Sequence, residues 1–572
     1  MPSLVSSAGS ASWSSCYPVL LLVLGVIVLW ILSDLILLLA RQYTSPLRSL
    51  RCPPTRSFLL GNLPEMYHQE NTGLLADWEA TYGPTFSYKG FFGGCRLLTL
   101  DLVAVAHILA ESDKYQKPDF VRDNLATMGA GHEGVLTTEG DVHKRQRKIL
   151  APAFAGGHIK TLTPIFWDKA IQLRDIWTRM AQEHDTEVDE SVDVLVWLSK
   201  ATLDVIGLAG FGYAFNALAG ESNKLADAYH VIFTTARKLA LRTILETWIP
   251  LLRKFHRHNA TMEEAHGRLQ RIGLELIDER RRTISSESSA KAATPLLSRP
   301  AIQRDLLSVL VQSNLASFAS QRMSTSEVLC QISTFLIAGY ETSSSALTWC
   351  LYALSKSPVS QDALRKALHT IPRDSPTLDE DVNKLEYLDW VVRETLRVHA
   401  PVTWTMRVAM EGDEIPVQRP FIDKGGNTRT TIKVNKYDII TIPIQAINKS
   451  QSIWGGDAQA FRPERWQNPP EEIKAIQGLY SNTLTFLSGT RGCIGYKFAL
   501  AEIKIFLYTL VRDLEFSIDS SIIIEKTFKI YRLIYLSPFT SVVARPVVKS
   551  ETNSGNRMPL VIRLASTPPG NR

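Results

Sequence analysis

Cys493 lies in the stretch FLSGTRGCIG, residues 486–495, between two glycines and two residues after Arg491. A sulfur presented in this way could be a buried structural thiol, a nucleophile, half of a disulfide or a metal ligand. A thiolate that binds iron must stay ionised, accept hydrogen bonds and leave room for a flat cofactor to approach. Gly489 and Gly492 are expected to supply backbone angles that other residues resist, and Gly495 brings no side chain toward such a cofactor. An apolar helical pattern follows at residues 495–510, whose positive N-terminal end and free N–H groups favour an anionic sulfur. Arg491 can pair with a cofactor carboxylate. The other cysteines, at 16, 52, 95, 330 and 350, are scattered without a C-x-x-C pair, so neither a disulfide framework nor a zinc site is expected.

Three further groupings carry potential chemistry. In LIAGYETSS, residues 336–344, the Thr342 hydroxyl can bond back to the carbonyl of Ala338 and loosen a helix locally. The same small residues also suit a plain helix crossing. In ETLR, Glu394 and Arg397 stand at i and i+3 and can pair on one helix face. FRPERW, residues 461–466, adds Arg465, and HKRQRKILAPAF, residues 143–154, adds His143 and Arg147. Arg407 follows Arg397 by ten residues. An ordinary solvated arginine is the simple reading of any one of these.

Phe486, Gly489, Arg491, Cys493 and Gly495 together resemble the haem-binding loop F-x-x-G-x-R-x-C-x-G of the cytochrome P-450 superfamily, and Phe498 and Ala499 extend the match. The resemblance is to microsomal members of fungal type. It implies that Cys493 is the axial ligand of haem b and that Phe486 and Gly495 line the cofactor. Arg147, Arg407 and Arg491 would meet the haem carboxylates, with His143 standing where the family carries Trp. Thr342 and Glu341 would form the oxygen-activation pair, with Ala338 and Gly339 over the open side of the iron. Glu394, Arg397 and Arg465 would lock the segment before the cysteine, Trp466 replacing the usual Phe. The implied activity is O2-dependent monooxygenation of a lipophilic small molecule, in secondary metabolism or xenobiotic oxidation. NADPH would supply electrons indirectly, through a cytochrome reductase with cytochrome b5 as a second donor. The alternative is a haem-thiolate isomerase or dehydratase that does not use O2; such relatives tend to lose the threonine. A haem sensor or a peroxide-driven enzyme leaves either the oxygen-activation segment or the membrane anchor unexplained.

These residues need a scaffold. Residues 168–182, 261–281, 326–354, 380–398 and 495–513 carry apolar side chains at helical spacing. Residues 407–444 contain three short strand patterns: EIPVQRPFI, TTIKVN and DIITIPI. The expected fold class is mainly α with a minor β-sheet region: a single large cytochrome P-450 fold behind an N-terminal transmembrane helix. No Gly-rich phosphate loop follows a strand, so no flavin or nicotinamide domain is expected. Residues 118–135 are read from family layout as a loop covering the pocket, and residues 402–405 as part of its lining.

Residues 18–40 are apolar apart from Asp34, long enough at ~1.5 Å per residue to cross a ~30 Å hydrocarbon core. No Lys or Arg precedes them, whereas Arg41, Arg48, Arg51 and Arg56 follow, which points to a cytoplasmic body, and the microsomal resemblance implies the endoplasmic reticulum membrane. The expected organisation is a lumenal N-terminus (1–17), an anchor (18–40), a basic proline-rich linker (41–66), a catalytic domain (67–548) and a tail with a candidate last strand (549–572). Residues 284–298 read as a flexible insertion. The net charge of +6 over 572 residues is too small to argue for nucleic acid. Lys144, Arg145, Lys148, Lys497 and Lys504 are a candidate basic patch for an acidic electron donor.

Overall fold

The computed structural model describes residues 17–67, 69–183, 191–221, 260–289, 305–313, 322–527 and 543–566. Helices dominate, as the periodicity predicts. The central one runs over Thr325–Lys356 and is started by a reciprocal cap: Ser324 Oγ accepts from the Glu327 N–H, and Glu327 Oε2 accepts from the Ser324 N–H. Such a cap contributes about 1 kcal/mol. Glu327 also binds Arg145 and accepts from Gln146 Nε2 at 3.0 Å, so the cap fixes the Gly140–Leu150 helix that carries His143 and Arg147.

Val194–Phe211 crosses the central helix closely, with Thr202 Oγ1 donating to the Tyr340 carbonyl at 3.1 Å. Val194–Phe211 is long and apolar enough to cross a membrane, yet Leu198, Ala201, Val205 and Ala209 are fully buried, which makes it a core helix. Gly156–Glu183 packs on the post-cysteine helix, Tyr496–Asp513, through Phe166 and Phe498, whose ring centroids lie 4.8 Å apart.

The sheets are small. A five-stranded sheet has the order β1 (Thr85–Lys89), β2 (Cys95–Thr99), β8 (Ile439–Ile442), β5 (Thr405–Ala409) and β3 (Tyr115–Gln116), with β2 and β8 parallel. The hairpin β6 (Asp413–Ile422) with β7 (Thr428–Val434) matches two of the strand patterns. A pair is formed by β10 (Ile524–Thr527) and β11 (Arg545–Val548). The expected last strand is β12 (Pro559–Leu564), which joins β4 (Val192–Asp193) to β9 (Leu514–Ser517).

Several expectations need correction. The pattern over 380–398 is two helices, Leu378–Lys384 and Glu386–Val398, broken where Leu385 turns to extended geometry at ψ 109°. Residues 118–135 are not a plain loop: they contain the helix Asp119–Leu125 and a π turn at Ala126–Ala130. Of the supposed insertion, residues 284–289 continue the helix Ala260–Ser289, and 290–298 lie outside the described residues. The expected lumenal segment also lies outside them, apart from Tyr17. The apolar segment after it forms the 28-residue helix Tyr17–Thr44, with Leu21, Leu22, Leu29 and Ile36 exposed. Its end meets the body where Arg41 lies over the Tyr437 ring, 4.7 Å from the centroid. The proline-rich linker docks as expected, Ser87 N donating to Arg51 O at 2.9 Å.

Candidate active site

The cysteine loop is a tight backbone arrangement. Cys493 N donates to Phe486 O at 2.9 Å, and Gly492 N to Gly489 O at 3.1 Å. Gly489 has φ +66°, and a Cβ there would come within 2.5 Å of Leu109 O, so both conformation and space require glycine. Gly492 has an ordinary φ of −58°, contrary to the expectation; a Cβ would lie 2.6 Å from the end of the Leu479 side chain, which would have to shift. Leu487 adopts φ +58°, an uncommon angle for a branched residue that places backbone strain beside the loop.

Gly495 caps the post-cysteine helix two residues after the Cys493 sulfur. Burial pushes the Cys493 thiol up, while the Gly495 N–H and the Arg147 charge pull it down. The sulfur-bearing residue is nevertheless accessible. The Phe486 ring packs against Tyr480 and Tyr496, each with centroids 6.1 Å away.

Arg147 acts on this sulfur and belongs to a cluster of cations with Lys117, Arg407 and Arg491. Arg407 is 1% exposed; its Nη1 donates to Thr405 Oγ1 at 2.8 Å and to Met406 O at 2.7 Å, whereas Nη2 is buried without a partner among the described residues. Burial pushes the Arg407 guanidinium down to about 10. Arg147 Nη1 donates to Gly492 O at 2.5 Å, and Arg491 pairs with Glu139 and donates to Thr138 O at 2.8 Å. Burial lowers Arg491 to about 10 as well. Lys117, which the sequence reading missed, donates from Nζ to Leu136 O at 2.8 Å. Burial and the charges of Arg491, Arg407, Arg122 and Arg147 push it well below the usual lysine value. Burial and the charges of Lys117 and Arg147 also push His143 down to about 4, so it is a neutral imidazole. The position of Lys117, just before Pro118, carries no signal of this role.

On the central helix, Thr342 Oγ1 donates to Ala338 O at 2.6 Å, the bond expected from the sequence. Ala338 is exposed on a helix whose neighbours Phe335, Leu336 and Ile337 are buried. Gly339 does not share that face. A Cβ there would lie 2.9 Å from the Ile206 side chain, so its lack of a side chain suits the crossing with Val194–Phe211. Glu341 is 4% exposed and ion-paired with Arg545.

Behind the loop, Glu394 and Arg397 are fully buried and doubly bonded, at 2.9 and 2.7 Å. Arg397 also donates to the carbonyls of Asn448, Ala458 and Ala460. Arg465 Nε reaches Glu394 at 3.3 Å, and its Nη1 reaches Asp457 at 2.6 Å. The network runs on to the cysteine segment: Asn448 Oδ1 accepts from Leu484 N at 3.0 Å, and Thr485 Oγ1 donates to Leu396 O at 2.7 Å. The basic patch is smaller than expected. Lys504 is 7% exposed and bound to Asp389, and Arg145 is bound to Glu327, leaving Lys144, Lys148 and Lys497 on the surface.

The donor set suits a dianionic haem. Arg407 Nη2, buried without a partner among the described residues, calls for an anion, and Arg147, Arg407, Arg491 and Lys117 outnumber the carboxylates of Glu139 and Asp113 in this cluster. Gly495 also fits: its φ is −90°, and a Cβ would make only an ordinary 3.5 Å contact with Phe154, so neither backbone nor packing in the protein itself demands glycine.

The cytochrome P450 family profile matches residues 52–531. Cytochrome P450 monooxygenase 205 of Postia placenta is 41% identical over 528 residues, covering 91% of this chain and 93% of its own length. Cytochrome P450 monooxygenase 128 of the same fungus is 40% identical over 541 residues, with coverages of 92% and 94%. Cytochrome P450 monooxygenase claU of Ampulloclitocybe clavipes is 31% identical over 548 residues, with coverages of 93% and 95%. The chain belongs to the cytochrome P450 family of haem-dependent monooxygenases.

Proposed function

We propose that the protein is a membrane-anchored haem-thiolate monooxygenase acting on a lipophilic small molecule, with electrons drawn from NADPH through a cytochrome reductase. The observation that carries this reading is the accessible Cys493 on its tight loop beside Arg147, with Arg407, Arg491 and Lys117 clustered around that arginine. Haem bound through that sulfur supplies the oxygen activation. The protein's part is to hold and orient. Arg407 Nη2 would meet one haem carboxylate, with Arg147, Arg491 and Lys117 offsetting the remaining charge and neutral His143 available as a hydrogen-bond donor. Thr342 holds a proton at Oγ1 beside the accessible Ala338, and Glu341 supplies protons to it. Phe120, Val402 and Trp404, all partly exposed, support an apolar substrate.

The helix Tyr17–Thr44, about 42 Å long at ~1.5 Å per residue, supports single-pass anchoring in the endoplasmic reticulum with the body in the cytoplasm. The test is the absorption of the reduced, carbon-monoxide-treated protein. A band near 450 nm, in keeping with the family's name, is expected from the wild type, and its absence would overturn the haem-thiolate reading. A panel of lipid, terpenoid and aromatic compounds screened for Soret shifts then defines the substrate.

A further inference from the structure

We propose that Arg545 is a positioning residue that gates Glu341, holding its carboxylate on the β11 side of the central helix and away from Thr342. This rests on the reading of Glu341 and Thr342 as the proton-handling pair.

Glu341, Ser345 and Trp349 recur at four-residue intervals and so share one face of the central helix. That face seats a single backbone segment. Ser345 Oγ donates to Ala544 O at 3.0 Å, and Trp349 Nε1 to the same oxygen at 3.4 Å. Ala544 N donates to Pro401 O at 2.8 Å, and Arg545 is paired in register with Thr527 of β10. The Arg545 backbone is therefore fixed on both sides, and its guanidinium reaches Glu341 Oε1. Tyr340 OH donates to the same oxygen at 3.4 Å. Only 21% of the Arg545 side chain and 4% of Glu341 are exposed, so little water competes with the pair.

Thr342, the next residue, turns its hydroxyl to Ala338 O instead. Successive side chains on an α-helix diverge by about 100°, so while the ion pair is closed the two oxygens serve different sides of the helix. Glu341 must leave Arg545 before it can pass a proton toward Thr342. Arg545 thereby sets how often protons arrive. Without that restraint, proton delivery would outpace substrate oxidation, and O2 would take two electrons from NADPH and two protons to leave as hydrogen peroxide instead of forming product.

The experiment uses the full-length, haem-loaded protein with its reductase. Arg545→Gln is expected to raise peroxide formed per NADPH severalfold, leave the substrate dissociation constant within twofold, and lower the solvent deuterium isotope effect. None of these changes is expected in a Glu341→Gln background. Independently of turnover, infrared spectra of the resting protein with 13C-labelled glutamate should show the Glu341 carboxylate band shifted in Arg545→Gln. Arg545→Lys, which keeps the charge but not the fork, should fall between, and it carries the test if the glutamine variant loses haem. A peroxide rise that does not depend on Glu341, or an unshifted band in both variants, overturns the proposal. If Thr342→Ala and Glu341→Gln themselves leave coupling unchanged, the proton-pair reading fails instead, and the infrared result still reports on the ion pair.

Discussion

The indole Nε1 of Trp466 donates to Glu394 Oε2 at 3.0 Å, in a site where both residues are buried. A phenylalanine here could not make this bond. Glu394 also accepts from Arg397, Arg465 and the Arg462 N–H, so each carboxylate oxygen is shared among several donors. Trp466→Phe is expected to cost about 1 kcal/mol, at the low end for a buried acceptor losing one donor. Thermal unfolding of the holoprotein measures it.

Arg397→Ala removes a charge from a fully buried pair and exposes four acceptors, the Glu394 carboxylate and the carbonyls of Asn448, Ala458 and Ala460. A loss of about 3–5 kcal/mol is expected. Because Asn448 and Leu396 hold Leu484 and Thr485, the cysteine segment should loosen too. The variant should retain little haem, read as haem per polypeptide after gel filtration; full loading would contradict this.

Arg407 and Arg147 should differ in their effect on haem. Arg407 has a buried nitrogen without a partner among the described residues, whereas Arg147 donates to the Gly492 carbonyl. Arg407→Ala should therefore speed haem transfer to apomyoglobin by about tenfold or more, consistent with the roughly 1.5–3 kcal/mol of a charged hydrogen bond. Arg147→Ala should in addition disturb the cysteine loop itself and broaden the Soret band.

Thr342→Ala deletes the hydroxyl that now donates to Ala338 O. With a general-acid contribution of about 10²-fold at stake, product per NADPH should fall at least tenfold while substrate binding holds. Equal coupling in variant and wild type would remove Thr342 from the proton path.

Glu502, on the post-cysteine helix, offers a pH test beside the central helix. It is 1% exposed, Oε2 has no partner among the described residues, and burial pushes the carboxyl up to about 8 against an opposing hydrogen bond with Ser343. The folded protein keeps this proton where the unfolded chain, near 4.5, has lost it. Its stabilising contribution is thus full below about pH 4.5 and declines as pH rises toward 8. Glu502→Gln should flatten that part of the pH dependence of denaturant midpoints.

The chemistry-bearing residues were legible where they are local. The Thr342 to Ala338 bond and the Glu394–Arg397 pair follow from helical spacing alone. Contacts between distant segments were not. Arg545 meets Glu341 across 204 positions, Lys117 joins the cation cluster from the chain before Pro118, and Ile206 claims the space of Gly339. The helix break at Leu385 was hidden for a different reason: the apolar pattern runs through it unbroken, and periodicity cannot see one residue turning extended.

Strand β12 brings a consequence for synthesis. Residues 192–194 pair with 558–560, through the β4 pairing, the Val194 N–H to Met558 O bond and the Met558 N–H to Asp193 bond. The first residues of a core helix must therefore wait, with that edge open, until hundreds of later codons have been translated. The catalytic body can close only after its far end has left the ribosome, and a nascent chain halted shortly before residue 558 should remain a client of chaperones.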